Sequence, residues 1–298
     1  MRTWIVCAVI GLGSECALGA DFFASRVVSY APGMGAAPGH RNAVAALGAP
    51  ARMTGTAAEP EAITPFQPAW LPDQVVSIGA GGSLVLELGS TATDDPGHRF
   101  GIDLIVYGNA FFSDLASPMG VPGFCAAEGG AIEVSADGAT WHAIPGASIE
   151  GGLPTMAWLD SGPYDTMAGT LPSDFLRAVD PAVNESSAMG LPYPDLVALH
   201  DGGAGGMGID LALAGVSTAR FVRLSHPAGA FGSPEVDAVA VIPPSPDPLD
   251  LDGNGVVDFG DVALIMLSMG DLGGPADVDG NGLVDFGDIA LALLGMNA

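Results

Sequence analysis

The chain has 298 residues and a formal net charge of −26, from 8 cationic side chains against 34 acids. Every cation is an arginine, so neither a lysine Schiff base nor a P-loop lysine is on offer. So acidic a protein repels polyanions, which excludes nucleic acid and an anionic membrane surface as partners.

Met1-Arg2 is a short basic start, followed from Trp4 to Gly13 by roughly ten apolar residues, and Ala17-Leu18-Gly19-Ala20 offers small residues for cleavage before Asp21. The pattern predicts a secretory signal peptide over residues 1–20, too short to span a bilayer, and a mature protein that is extracellular or at the cell surface. No other segment predicts a membrane span. Cys7 and Cys16 would leave with the signal, so the remaining Cys125 has no intramolecular disulfide partner and is expected as a small buried hydrophobe.

Residues 21–242 read as one all-β domain, in which short β-branched runs are bounded by Gly, Pro and Asp. Strands are predicted over 26–30, 75–78, 83–88, 102–107, 131–135, 141–144, 220–225 and 236–242, with one short helix over 42–47. Ile132 to Trp141 carries Asp137-Gly138, the chemistry of a tight hairpin turn. Strands with long loops and no alternating helices predict an antiparallel sandwich of jelly-roll type.

Five segments in order carry a resemblance: Gly81 to Leu86, Asp103 to Phe111, Glu133 to Trp141, Gly208 to Leu211 and Ala219 to Leu224. The series resembles secreted bacterial surface proteins with a discoidin-like (galactose-binding-like) β-sandwich, across most of Arg26 to Ile242. That resemblance implies a domain that binds a glycan or another surface ligand and does not catalyse.

Several side chains of this domain are candidates for a site. Asp94, Asp95, Asp201 and Asp237 would form an oxygen cage for a further calcium ion if the fold gathers them; otherwise they are turn residues. Trp158 and Tyr164 lie in the Gly- and Pro-rich stretch 151–172, which has no strand signal and is expected to be a functional or partly disordered loop; they are the candidates for stacking on a sugar. Trp141, on the hairpin, is expected to turn into the core. The five histidines are scattered singly, His200-Asp201 being the one pair that could orient a base, and no metalloprotease helix or nucleophile elbow is present. A carboxylate pair for glycoside hydrolysis depends on spatial separation and stays open.

After a Pro-rich linker over 243–249, one acidic loop occurs twice, 27 positions apart. The first copy places Asp250, Asp252, Asn254, Asp258 and Asp261 at loop positions 1, 3, 5, 9 and 12; the second places Asp277, Asp279, Asn281, Asp285 and Asp288 there. Glycine stands at position 6 of each, and the carbonyls of Val256 and Leu283 at position 7 complete the set. A hard divalent cation needs about six to eight oxygens and a sharp turn, which this layout supplies, so two Ca²⁺ ions are predicted. An apolar helical run follows each loop, and none precedes it.

Paired units of loop and exiting helix with Asp at position 12 resemble the type I dockerin module, here over about residues 247–298. The resemblance implies a small α-helical calcium domain (250–298) and a cohesin-like protein partner. Positions 10 and 11, where that family often has small hydroxyl residues, are Phe259-Gly260 and Phe286-Gly287 in this chain. The departure sets a cohesin-like partner against a calcium-folded cap or wall-association module, with packing inside the module as the alternative place for the two phenylalanines. The sequence as a whole predicts a secreted, non-catalytic glycan-binding protein with a calcium-dependent tail. Its rivals are a glycan-active hydrolase and a structural surface-layer component.

Overall fold

The computed structural model describes residues 22–245, 247–252 and 256–296. The predicted signal peptide and the ligand candidate Asn254 lie outside the described residues. The chain divides into two compact units, residues 1–243 and 244–298.

The first unit is mainly β. In chain order its strands are β1 (Ala24–Ala31), β2 (Met53–Gly55), β3 (Pro60–Ala62), β4 (Val76–Ser77), β5 (Ser83–Thr93), β6 (Leu104–Gly108) and β7 (Phe111–Asp114). They continue with β8 (Pro122–Ala126), β9 (Ala131–Ser135), β10 (His142–Ala143), β11 (Met207–Ile209), β12 (Thr218–Ser225) and β13 (Glu235–Val241). One sheet has the order β1-β5-β12-β9-β10 and the other β11-β6-β13-β4, and every pairing in both is antiparallel.

Side-chain alternation explains why the two sheets meet. Leu84, Leu86 and Leu88 of β5, Val222 and Leu224 of β12, and Ile132 and Val134 of β9 share one core with Leu104, Val106, Val239 and Val241 of the other sheet. On the opposite face of the five-stranded sheet, charges replace apolar groups. Arg26 and Arg220 both bond to Glu87, and Arg223 reaches Glu133 at 2.5 and 2.6 Å. That face is solvated.

The four-stranded sheet is buried on both faces. Ile105, Tyr107, Ala238 and Ala240 point away from the shared core, yet pack under a second layer containing Ile63, Ala157, Phe175 and Ala204. Strands covered on both sides read as unbroken apolar runs, as Leu104-Ile105-Val106-Tyr107 does. The cover is built largely by residues 151–206, with two short helices, α1 (Glu185–Ala188) and α2 (Tyr193–His200).

This corrects the expectation for 151–172. Leu153, Met156 and Ala157 are fully buried, and Ser173 donates from its backbone to Ala157 and from its hydroxyl to Met156. Lacking strand periodicity, the stretch still has apolar residues to seal the outer sheet face. The short helix expected over 42–47 is a 3₁₀ turn, Ala43–Ala46, capped by the Asn42 side chain on Val44 N–H.

The second unit has two helices, α3 (Phe259–Leu267) and α4 (Phe286–Gly295), each leaving one acidic loop. Its core is small: Val262, Ile265, Ala276, Val284 and Ala292. A Cβ on Gly295 would lie 2.7 Å from Leu249 Cδ1, so the last linker residues pack on the end of α4.

Candidate metal centres

Each tail loop gathers its carboxylates through the start of its helix. Asp258 and Asp285, at position 9, are the N-caps of α3 and α4, accepting from Gly260 and Gly287 N–H at 2.6 Å. Reciprocally, Asp261 Oδ2 accepts from Asp258 N–H at 2.8 Å and Asp288 Oδ2 from Asp285 N–H at 2.7 Å. Asp261 Oδ1 also accepts from Leu251 and Asp252, and Asp288 Oδ1 from Asp279. Position 12 is thereby tied back onto positions 2 and 3. These backbone donors, Asp258 N–H and Asp285 N–H first, hold both carboxyl groups below the ordinary carboxylate range, so they stay charged.

The outcome is the same in both copies. Oxygens of Asp250, Asp252 and Asp261 lie within 4.8 Å of one another, as do those of Asp277, Asp279 and Asp288. Three like charges so close repel unless a cation stands among them. Asp277 Oδ1 adds a direct sign: it is buried with no hydrogen-bond partner, while Oδ2 accepts from Gly282 N–H at 2.9 Å. The donor set is all oxygen and could hold a hard divalent ion.

Glycine at position 11 belongs to this geometry. A Cβ on Gly260 would lie 2.8 Å from Asp252 Oδ2, and one on Gly287 would lie 2.9 Å from Asp279 Oδ2. The neighbouring phenylalanines do not pack inside the module: Phe259 is 71% and Phe286 77% exposed. The first turn of each helix points its side chain outward while the backbone of that turn cradles the carboxylates. The packing alternative is therefore corrected.

In the β-domain the four acids read together from the sequence are not brought together. Asp237, on β13, is 3% exposed and accepts only Ala51 N–H, at 3.1 and 3.3 Å; burial pushes its carboxyl up to about 8. Asp201 sits at the left-handed C-cap of α2, where Arg99 and Arg177 bind it and hold its carboxyl below the usual range. Asp95 makes a local turn to Gly97 N–H at 2.7 Å. Asp94 alone joins a cluster, with Asp103 and Asp210. Asp103 is fully buried and accepts from Asp95 and Leu211 N–H, with His98 Nδ1 at 2.7 Å.

A second carboxylate cluster went unseen in the sequence. Glu128, Glu150 and Glu235 converge within 4.8 Å. Glu150 accepts from Glu128 N–H at 2.5 Å and Glu235 N–H at 3.0 Å. The Asn109 amide, with its nitrogen turned inward, donates to Glu150 (2.9 Å) and Glu235 (3.3 Å). Burial pushes Glu150 up to about 8 and Glu235 to about 7, so these two carboxyls hold protons near neutral pH. These residues come from three separate segments, and no spacing announces them.

The sugar-stacking candidates are also corrected. Trp158 donates from Nε1 to Arg52 C=O at 3.1 Å and carries the Arg52 guanidinium 5.5 Å from its ring centroid. The Tyr164 ring packs at a tilt on Phe66, 5.9 Å between centroids, and its hydroxyl donates to Asp114 at 3.2 Å. Both work as packing side chains of the cover layer. Trp141 is half-buried with Arg223 over its ring at 4.4 Å, so the hairpin turns it to the charged sheet face and not into the core. His200 is fully buried, its two ring nitrogens 3.0 and 3.2 Å from the carbonyls of Leu196 and Pro154, so it orients no base. Cys125 is half-buried, and burial pushes its thiol up to about 12.

Between the two sugar-stacking candidates, an open cavity of about 350 Å³ is bounded by Leu159, Asp160, Gly162 and Tyr193, and another of about 340 Å³ by Asp137, Thr140 and His142; two more share a wall. One of about 330 Å³ is bounded by Ser148, Leu153, Asp180, Glu185 and Met207, and one of about 230 Å³ by Phe100, Ile144, Asp210 and Leu213. Both include Gly146, Pro181, Met207 and Gly208. No protein-family model and no curated protein matches this chain. Among the described residues no helix is long and apolar enough to cross a membrane.

Proposed function

We propose that this is a secreted, non-catalytic adhesion protein in two parts: a glycan-binding β-domain of discoidin-like, jelly-roll type, and a dockerin-like module folded by two Ca²⁺ ions. The observation that carries the reading is the duplicated tail cluster, with the same carboxylates converging in both copies and one buried oxygen of Asp277 without a donor. Calcium would be held by Asp250, Asp252, Asp258 and Asp261 in one loop and by Asp277, Asp279, Asn281, Asp285 and Asp288 in the other, with the carbonyls of Val256 and Leu283. The ion supplies positive charge that lets the loop carboxylates stay together.

The tail's attachment role is supported by its surface. Phe259, Leu267, Phe286 and Leu294 are each more than 70% exposed, apolar surface that a protein partner could cover. A cohesin-like partner is the proposed occupant. Export to the cell exterior follows from the signal-like start, and calcium is abundant enough there to fill sites of ordinary affinity.

A glycan-active hydrolase is the second reading, favoured by the raised carboxyls of Glu150 and Glu235. Against it, neither side chain lines the cavities of about 330 and 230 Å³, and their oxygens are engaged by backbone and Asn109. Isothermal titration of the chelator-stripped full chain with CaCl₂ tests the first reading. Two ions bound per chain with a gain in helical circular dichroism is expected. No uptake, or uptake with unchanged helicity, would overturn it.

A further inference from the structure

We propose that the groove beside β11, formed by the two cavities that share Met207 and Gly208, binds a neutral glycan chain with Phe100 as its stacking face. The inference rests on the glycan reading of the β-domain and places its site at residues that no ligand motif marked.

Three features converge there. First, β11 is an edge strand of the four-stranded sheet, paired within it to β6 alone; past the bridge from Leu153 to Gly206 its outer margin borders the groove. Gly146 lies where the two cavities meet, with open space where a Cβ would stand. A glycine at such a margin lets a ligand approach the backbone closely.

Second, Phe100 is held in a conformation that aromatic residues avoid. Its φ is +60°, and Phe100 and Asp201 are the non-glycine residues with positive φ among those described. Arg99 ties the two together: its guanidinium lies 4.7 Å from the Phe100 ring centroid and bonds to the Asp201 carboxylate. Even so, the ring remains 43% exposed and borders the smaller cavity. A bulky side chain fixed in the left-handed region and stacked on one cation is pre-organised as a platform, and such strain collects at ligand sites.

Third, the lining sets the class of ligand. Asp180, Glu185 and Asp210 border the groove, and neither cavity has an arginine or histidine in its wall. Carboxylates accept hydrogen bonds from sugar hydroxyls, and Ile144 and Leu213 offer apolar surface to the C–H faces of the rings. An anionic sugar would meet three like charges and is rejected. A neutral polyhydroxylated chain satisfies both surfaces.

The test uses the full chain in calcium. Retention is measured on microcrystalline cellulose, insoluble xylan and chitin, with cross-linked polygalacturonate as the anionic arm. Phe100→Gly removes the ring and suits the positive φ, so the variant keeps its fold; Leu213→Arg blocks the groove from an exposed position. Val28→Arg, on the exposed part of β1, is the control. The wild type and the control are expected to be retained on at least one neutral matrix, with affinity about tenfold weaker in both groove variants. Wild-type retention that neither variant weakens would overturn the groove and leave the glycan reading standing. Retention on polygalacturonate alone would overturn the neutral class. No retention on any matrix would overturn the glycan reading and the groove together.

Discussion

The two units of this chain answer the same question, how to keep acids close together, in opposite ways. In the β-domain the raised carboxyls are deep: Glu150, clustered with Glu128 and Glu235, and the solitary Asp237 are each 3% exposed, and burial pushes both up to about 8. A proton neutralises them. In the tail, Asp261 and Asp288 are held below the usual range by backbone N–H groups, beside partly exposed aspartates. Asp261 and Asp288 stay charged, and in the proposed reading a cation would neutralise them. The cores differ to match. Extensive clusters between and outside the sheets support the β-domain by themselves, whereas five buried residues support the tail. A unit so small needs a staple, and metal can supply it.

The largest effect should come from removing that staple. Asp250→Ala combined with Asp277→Ala takes position 1 from both loops. The tail should lose its helices even in millimolar calcium, because each site filled to a hundredfold excess over its Kd contributes about 2.7 kcal/mol to folding. Tryptophan fluorescence should not change, since Trp70, Trp141 and Trp158 all lie in the first unit. Helical circular dichroism equal to wild type would show that the tail folds without its ions and would end the contrast.

Next in size is the pH dependence, where the two units should move in opposite directions. Asp237 has a folded pKa of about 8. Its unfolded value is about 3.9, so the folded state binds the proton more tightly. Its contribution is complete below pH about 4 and is lost as pH rises toward 8, on the order of 3–5 kcal/mol. Glu150 and Glu235 act with the same sign, up to about 8 and about 7. The lowered Asp261 and Asp288 have the reverse sign: their contribution is present above pH about 4 and lost as pH falls further. Thermal melts followed by tryptophan fluorescence should fall between pH 5 and pH 8.5, and Asp237→Asn should flatten that slope. A melting temperature that rises across this range would mean that Asp237 is ionised in the folded domain.

How much of this was legible in the sequence follows from what fixes each feature. The tail loops are local: ligand spacing, glycine and the helix N-cap lie within twelve residues, so the repeat carries its own geometry. The strands over 131–135 and 220–225 were legible because one face is solvated and the alternation survives, with Glu133 and Arg223 between apolar neighbours. The short pairs β2–β3 and β7–β8 and the edge strand β11 were not, since three to five residues hold too little periodicity. Convergence of side chains is a property of topology. Asp94 meets Asp103 and Asp210, and Glu128 meets Glu150 and Glu235, because loops end at the same sheet margins. Composition made Trp158 and Tyr164 look free for sugar; the need to cover a second sheet face consumed them.

The smallest effect is the most selective one. Gly260→Ala and Gly287→Ala would each set a methyl group under 3.0 Å from a position-3 carboxylate oxygen, Asp252 Oδ2 or Asp279 Oδ2. Without an ion that carboxylate can swing away, and the substitution should cost nothing measurable; alanine even favours the first helical turn. With an ion bound, the oxygen is fixed in the coordination sphere and the methyl group must displace it. Each substitution should therefore weaken calcium binding at its own loop about tenfold, leaving the other loop and the apo spectrum as they were. Calcium titrations of the two single variants read this directly. Equal weakening of both loops by either variant would mean that the sites are coupled through the core around Ile265 and Ala292, and that the repeat is one cooperative unit. An unchanged affinity in both would place the position-3 carboxylates outside the coordination sphere, and the tail acids would then need a different neutraliser from the one their geometry prepares.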